Sequence, residues 1–399
     1  MRQVMLSRRE VVVLSAVRSA IGTFGGALAG FDPVDLAGRV MTEAISRSGV
    51  DPQAIEHVIV GNTIPTDGRF AYVARAAAVQ AGLPMRSAAM SVNRLCASGL
   101  QSILTTAQNI RLGDCEYGVG GGVEVMSRSG HLLASLRNGV RMGDAKLIDM
   151  MLATLTDPFG AGHMGVTAEN LVCKWNITRD EQDAFAVESH RRAAQAIAEG
   201  RFASQIVPIV TQKRTGEVVF DTDEHVKPET TMESLAKLAP AFKKDGSVTA
   251  GSASGLNDGA AFLVLADGAV ARSAGHVPMA RLVSYAVVGV SNEIMGEGPI
   301  PATKQALKKA SLSLGQMDVI ESNEAFAAQA IAVTRGLELD PQKTNPNGGA
   351  LALGHPIGCS GAVLVTKAIY ELQRIAGRYA LVTMCVGGGQ GVAAIFERL

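Results

Sequence analysis

Five cysteines and seven histidines carry much of the chemistry that this 399-residue sequence offers. Cys96 stands in Asn93-Arg94-Leu95-Cys96-Ala97-Ser98-Gly99, after a short strand-like run and before Leu100 to Ile110, which reads as a helix. A thiol at a helix N-terminus meets unpaired amides and the positive end of the helix dipole, which favour the thiolate and make it a usable nucleophile. A buried, inert cysteine fits the same local sequence. His355 lies in Gly354-His355-Pro356, where the following proline biases its backbone toward an extended conformation and gives the ring a defined direction. A satisfied structural histidine fits there as well as a catalytic base. Cys385 ends the apolar run Tyr379 to Met384 and is followed by Val386 and Gly387-Gly388-Gly389-Gln390-Gly391. Glycines of this kind let backbone N–H groups approach a reacting oxygen closely.

Several rival chemistries fail on spacing. Only eight residues follow Gly391 and they read as a strand, so the helix that a pyrophosphate site needs is missing. At Gly118 to Gly122 the spacing approaches a dinucleotide fingerprint, but Val123 takes the last glycine position and Val123 to Met126 is a poor helix start. No cysteine pair has CxxC spacing, so neither a zinc ribbon nor a disulfide framework is indicated, and no metal is expected. Cys115, Cys173 and Cys359 are assigned to packing. Lys+Arg and Asp+Glu both number 37, so no net field would gather nucleic acid or an anionic membrane. The stretch Asn345 to Thr366, within the longest uncharged run, contains two prolines and five glycines and is a poor membrane span. Met1 to Glu10 has no apolar core of signal-peptide length, and the last residues are not a peroxisomal tripeptide. A cytoplasmic protein with reduced thiols is expected.

The elements that must position these residues recur. Asp32-Pro33 opens a helical stretch, Gly49 closes it, and His57 to Val60 leads as a strand to Asn62; Pro301 opens a second stretch through Leu314, Gly315 closes it, and Val319-Ile320 leads to Asn323. Ser98-Gly99 is matched by Ser360-Gly361, and Gly120 to Gly122 by Gly387 to Gly389. The second set follows the first by 261 to 268 residues in the same order. Each landmark alone is a common word, whereas their shared order reads as an internal duplication in an α/β chain rich in small aliphatic residues. The expected division is a first half over 1–125 completed by 257–277, an inserted region over 126–256, and a second half over 278–399. In the insertion, Thr178 with Glu181 forms a capping box and Gly200 a stop. Phe185, Ala186, Ser189, Ala193, Ala196 and Ile197 share one face of the helix between them, as a core stripe would.

Taken together, Asn-Arg-Leu-Cys96-Ala-Ser-Gly, Asn323-Glu-Ala-Phe-Ala, Gly354-His355-Pro-Ile-Gly and Cys385-Val-Gly-Gly-Gly-Gln-Gly resemble the thiolase family, over nearly the whole chain. His163 to Asn170 is similar to the short-chain, biosynthetic-type members, the acetyl-CoA acetyltransferases and bacterial β-ketothiolases. The resemblance implies two five-stranded βαβαβαββ halves in an αβαβα layering, with a loop domain inserted after the first. It makes Cys96 the acylated nucleophile, His355 its base and Cys385 the acid/base at the substrate α-carbon. One oxyanion site would come from His355 and a water held by Asn323, the other from the amides of Cys96 and Gly387. For the coenzyme A portion it points to Ser254, Lys227, Ser234 and Phe242, with His163 and Met164 bordering the acyl pocket and Met295 and Leu155 shaping it.

The reaction so implied is reversible Claisen condensation of acyl-CoA with acetyl-CoA to a 3-ketoacyl-CoA, with these thioesters as substrates and no cofactor. A homotetramer is implied, with Arg128 to Phe159 as its assembling loop. Three positions depart from the family pattern: Ala97 stands for glycine, Ser252 for asparagine and Lys227 for arginine. Lys227 lacks the planar fork that stacks on adenine. A degradative 3-ketoacyl-CoA thiolase of broader chain length is the nearest alternative. A ketoacyl-synthase-like enzyme would lack the second cysteine, and a non-catalytic lipid carrier would have lost nucleophile or base.

Overall fold

The computed structural model describes residues 9–213 and 216–399, so all but the last two residues of the stretch read above for a leader lie outside the described residues. Val11–Ser19, buried at every position, runs through the middle of the molecule. Its antiparallel neighbours are Asn257–Asp267 on one side and Ala280–Gly289 on the other. The first half continues outward through Tyr117–Val125, His57–Gly61 and Ala88–Val92; the second continues through Gln390–Arg398, Tyr379–Val386 and Val319–Ser322. The two halves thus repeat one strand order on either side of a short central pairing, Val12 with Arg281 and Val13 with Ala280. Beyond Val319–Ser322 the second half has only a parallel bridge from Ile320 to Thr344, where the first half has the strand Ala88–Val92.

Helices Ser98–Leu112 and Ile357–Arg374 cross in the interior, and the second packs on strands of both halves. Their crossing requires glycine: a Cβ at Gly99 would lie 2.9 Å from the Cys359 carbonyl, and one at Gly361 would lie 2.4 Å from the Leu100 nitrogen. Helices Pro33–Ser48 and Pro299–Ala310 pack on the strands of the first and second halves, respectively. Pro33–Ser48 begins and ends where the sequence indicates, with Asp32 accepting the Val34 N–H at 2.8 Å and Gly49 left-handed at φ 68°. Its counterpart begins at Pro299, two residues before Pro301, because a proline is tolerated anywhere in a first turn, where N–H groups have no intrahelical partner. That helix ends at left-handed Ser311, and Leu314–Gln316 forms a separate 3₁₀ turn.

The inserted segment carries helix Arg179–Ala198 behind a complete Thr178–Glu181 capping box. Ala186, Ser189, Ala193 and Ala196 are buried, with Phe185 and Ile197 half-buried beside them. The segment is anchored to the sheet by Arg18, a fully buried guanidinium bonded twice to Asp223 at 2.7 and 2.9 Å and once to Gln205 at 2.8 Å. Among the described residues, no helix is long and apolar enough to cross a membrane.

Candidate active site

Cys96 sits in the 3₁₀ turn Leu95–Ala97, immediately before helix Ser98–Leu112. Leu95 is left-handed at φ 46°, an unfavourable conformation for a branched residue that its surroundings must impose. They do so with three bonds: Leu95 N–H to Asn93 Oδ1 at 2.9 Å, Arg94 N–H to Ser98 Oγ at 2.9 Å, and Ser98 Oγ–H to the Leu95 carbonyl at 2.7 Å. The Arg94 guanidinium donates to Gln390 Oε1 at 2.7 Å, tying this turn to the loop that follows Cys385. Burial pushes the Cys96 thiol up to about 11, against the pull of the Gly387 and Cys96 amides that bond the sulfur, while the charge of Glu124 raises it further. The position beside the helix N-terminus therefore does not by itself yield a resting thiolate.

His355 is buried, and its backbone N–H donates to Asn257 Oδ1 at 2.9 Å. Asn257 lies so close that a Cβ at left-handed Gly354 would fall 2.3 Å from its amide carbon. Ser360 Oγ lies 2.6 Å from His355 Nδ1 and 2.8 Å from the Pro356 carbonyl. The carbonyl can only accept, so the single hydroxyl hydrogen goes to it and Nδ1–H donates to Oγ. Nε2 is then the free basic nitrogen, and the Asn323 amide approaches it at 3.4 Å as a donor. Burial holds the imidazole down to about 4, neutral at physiological pH.

Cys385 closes the strand Tyr379–Val386 opposite Gly391. Burial pushes its thiol well above the ordinary range and the neighbouring Cys96 adds to the shift, so the two sulfurs interact. Gly387 follows at the start of the glycine loop, where a Cβ would lie 3.2 Å from Leu95 and 3.4 Å from the Met164 sulfur.

Cys96 and His355 open onto one cavity of about 480 Å³. Its lining is mainly apolar and includes His163, Met164, Phe242 and Ser254, as well as Leu155 and Met295. His163 caps helix Met164–Trp175 by accepting the Gly165 N–H on Nδ1 at 3.0 Å, and its ring stacks on Phe242 with centroids 4.9 Å apart. Phe242 in turn meets Phe326 edge-on at 5.8 Å. Cys385 packs behind this wall with Met164, Met295 and Phe326. Two expected coenzyme A contacts are not brought to the cavity. Lys227 is exposed, and exposed Ser234 spends its hydroxyl in the capping box of helix Met232–Ala236. Ser252 is buried in the turn with Thr249, whose N–H it accepts at 2.9 Å. Sequence reasoning did not single out Asn257, Ser360 or Glu124, and only Ser360 carried a signal, its place in the repeated Ser-Gly pair. Among the described residues, no three His, Cys, Asp or Glu side chains converge as metal ligands.

Residues 11–269 match the family model described as Thiolase, N-terminal domain, and residues 276–398 match Thiolase, C-terminal domain. The chain belongs to the thiolase family. This thiolase is 55% identical to beta-ketothiolase BktB of Cupriavidus necator over 392 residues, covering 98% of the chain and 100% of the relative. It is 48% identical to the acetyl-CoA acetyltransferase of Pseudomonas aeruginosa over 392 residues, again covering 98% and 100%. The crystal structure of Bacillus anthracis acetyl-CoA acetyltransferase superposes with a TM-score of 0.96 at 48% identity, covering 98% of this chain and 99% of that one. Human mitochondrial 3-ketoacyl-CoA thiolase in complex with CoA superposes with a TM-score of 0.95 at 42% identity, covering 98% of each chain. These likenesses match the duplicated, layered α/β fold described above.

Proposed function

We propose that this thiolase joins an acyl-CoA to acetyl-CoA, giving a 3-ketoacyl-CoA and free coenzyme A, reversibly and through an acyl group on Cys96. The observation that carries this reading is the opening of Cys96 and of a neutral His355 onto one apolar cavity, with a second, more strongly buried thiol, Cys385, interacting with the first. The protons balance. His355 Nε2 takes the Cys96 proton as sulfur attacks the thioester, and the departing coenzyme A thiolate is protonated by Cys385. The Cys385 thiolate then removes a proton from the methyl of a second acetyl-CoA. That carbanion attacks acyl-Cys96, and the released Cys96 thiolate regains its proton from His355. Thioester exchange onto sulfur preserves acyl activation. A thiol held well above its usual range is, once ionised, a strong base suited to a weak carbon acid. The Cys96 and Gly387 amides serve one oxyanion, and His355 with Asn323 serves the other; losing one donor is expected to cost about 10²–10³ in rate.

No cofactor enters these steps, since coenzyme A thioesters are the substrates. In this reading segment 126–256 is the loop domain that binds coenzyme A, through Ser254, Phe242, His163 and Met164 at the cavity and Lys227 and Ser234 toward the nucleotide end. A cytoplasmic homotetramer is proposed. Exposed apolar residues between Arg128 and Phe159 support assembly, above all Met142 and Leu136, as does the exposed edge strand Ala88–Val92. Among acyl groups, the methionines in the lining, including Met126 and Met151, favour a site that adapts to chains somewhat longer than acetyl. Thiolysis of acetoacetyl-, 3-ketovaleryl- and 3-ketooctanoyl-CoA tests the reading directly. Turnover of the first two that is abolished by Cys96→Ala is the expected result; no turnover of any of them by folded protein would overturn it.

A further inference from the structure

The duplication places a second residue at the position of Cys385. In the first half Gly61 pairs with Gly122, and in the second Ser322 pairs with Thr383; two residues further along, the strand ends carry Glu124 and Cys385. Each faces a glycine across the ladder, Gly259 and Gly391 respectively. Counting back from the repeated Ser98-Gly99 and Ser360-Gly361 in the same way pairs Cys96 with Gly358. The two-cysteine site thus has a pseudo-symmetric twin, in which the strand-end residue is a carboxylate and the turn residue a glycine.

The twin is filled. Glu124 is completely buried, and both oxygens are bonded: Oε1 to the Asn62 amide at 3.0 Å and the Ile64 N–H at 3.1 Å, Oε2 to the Thr63 N–H at 3.1 Å and the Gly358 N–H at 2.8 Å. All four partners are N–H donors, which an ionised carboxylate satisfies and a protonated one does not. Gly358 lies in the first turn of helix Ile357–Arg374, whose N-cap is Pro356 and offers no side-chain acceptor. Glu124 supplies that cap from the other half of the molecule, where the helix dipole also favours its charge. A Cβ at Gly358 would lie 2.6 Å from Oε2, so the glycine is what admits the carboxylate. Only Pro356 and Ile357 separate Gly358 from His355.

We infer that Glu124 is a positioning residue for the thiolase reaction: through these four hydrogen bonds it ties the Asn62–Ile64 turn to Gly358 and thereby fixes His355 relative to Cys96. Burial raises Glu124 to about 7 while the Ile64, Gly358 and Thr63 N–H groups pull it back, and its charge adds to the upward shift that burial imposes on Cys96 and on Cys359, where Arg18 opposes it. The inference rests on the thiolase reading, so every batch is compared with wild type that turns over acetoacetyl-CoA; an inactive wild type would count against that reading, not against this one.

The test is Glu124→Gln in the full-length protein. The expected result is a kcat lower by about tenfold to a hundredfold with KM for acetoacetyl-CoA within about threefold, since a displaced base slows the chemical step and leaves substrate binding intact. Glu124→Asp keeps the charge and loses the reach, so its kcat should also fall with KM within about threefold; it also serves if Glu124→Gln does not fold. Unchanged kcat in either variant overturns the inference. So does a fall in kcat accompanied by a KM raised more than about tenfold, which would mark a merely structural loosening of the site.

Discussion

At Cys96 and His355, burial drives both groups toward their neutral forms: the thiol rises to about 11 and the imidazole falls to about 4. The reaction therefore starts from a neutral pair, and the proton moves as sulfur attacks. A base whose value is depressed from 6.5 to about 4 stays unprotonated above about 4. Acylation of Cys96 by acetyl-CoA, followed by stopped-flow release of coenzyme A, should consequently keep its rate as pH falls through 6 and 5 and lose it only near 4. A limb near 6.5 would show that His355 is not held neutral by its site. Ser360 fixes which nitrogen is basic. Ser360→Ala leaves a buried Nδ1–H without an acceptor and frees the other tautomer, so kcat should drop about tenfold to a hundredfold with KM within about threefold. Equal kcat in the variant would dismiss the tautomer assignment.

Among the elements, helix Met164–Trp175 forms one wall of the cavity through its cap, His163, and through Gly165, where a Cβ would stand 2.2 Å from the Phe242 ring. Gly165→Ala must displace Phe242 from its stack on His163, so KM for acetoacetyl-CoA should rise about tenfold while kcat stays within about threefold. Steady-state kinetics decide this, and an unchanged KM would remove Phe242 from the binding surface. The local signals of these elements were legible in the sequence. Asp32, Gly49, Thr178 with Glu181, and the strand leading into the Cys385 loop all act through neighbours a few residues away. The start of Pro299–Ala310 was misread because two prolines compete within one turn, and the tertiary contact at Gly298, whose Cβ would lie 2.2 Å from the Gln390 carbonyl, has no sequence signature. Asn257 and Glu124 were illegible for the same reason: their bonds to His355 and Gly358 span 98 and 234 residues.

The whole molecule is a duplicated sheet whose two halves have diverged in chemistry, one strand end keeping a thiol and the other a buried carboxylate. The repeat itself was visible in Asn62 with Asn323 and in Ser98-Gly99 with Ser360-Gly361, whereas the registers equate Gly122 with Thr383, so Gly120 to Gly122 inside a strand are not the counterpart of the Gly387 to Gly389 loop; the inequality of the halves emerged only from those registers. The inserted segment is held to this frame by Arg18 and Asp223, both fully buried. Asp223→Ala would leave a buried cation without its partner and should lower unfolding stability by about 3–5 kcal/mol, read from guanidinium denaturation. A change below about 1 kcal/mol would show that the segment is anchored elsewhere. The central claim, that an acyl group rides on Cys96 and that Cys385 is the base at the α-carbon, is tested most directly by incubating wild type and Cys385→Ala with acetyl-CoA and locating the acetyl group by peptide mass spectrometry. Acetyl on Cys96 in both proteins, with exchange of the acetyl-CoA methyl protons lost in Cys385→Ala, is the expected result; acetyl elsewhere, no acetyl on folded enzyme, or retained exchange would contradict it.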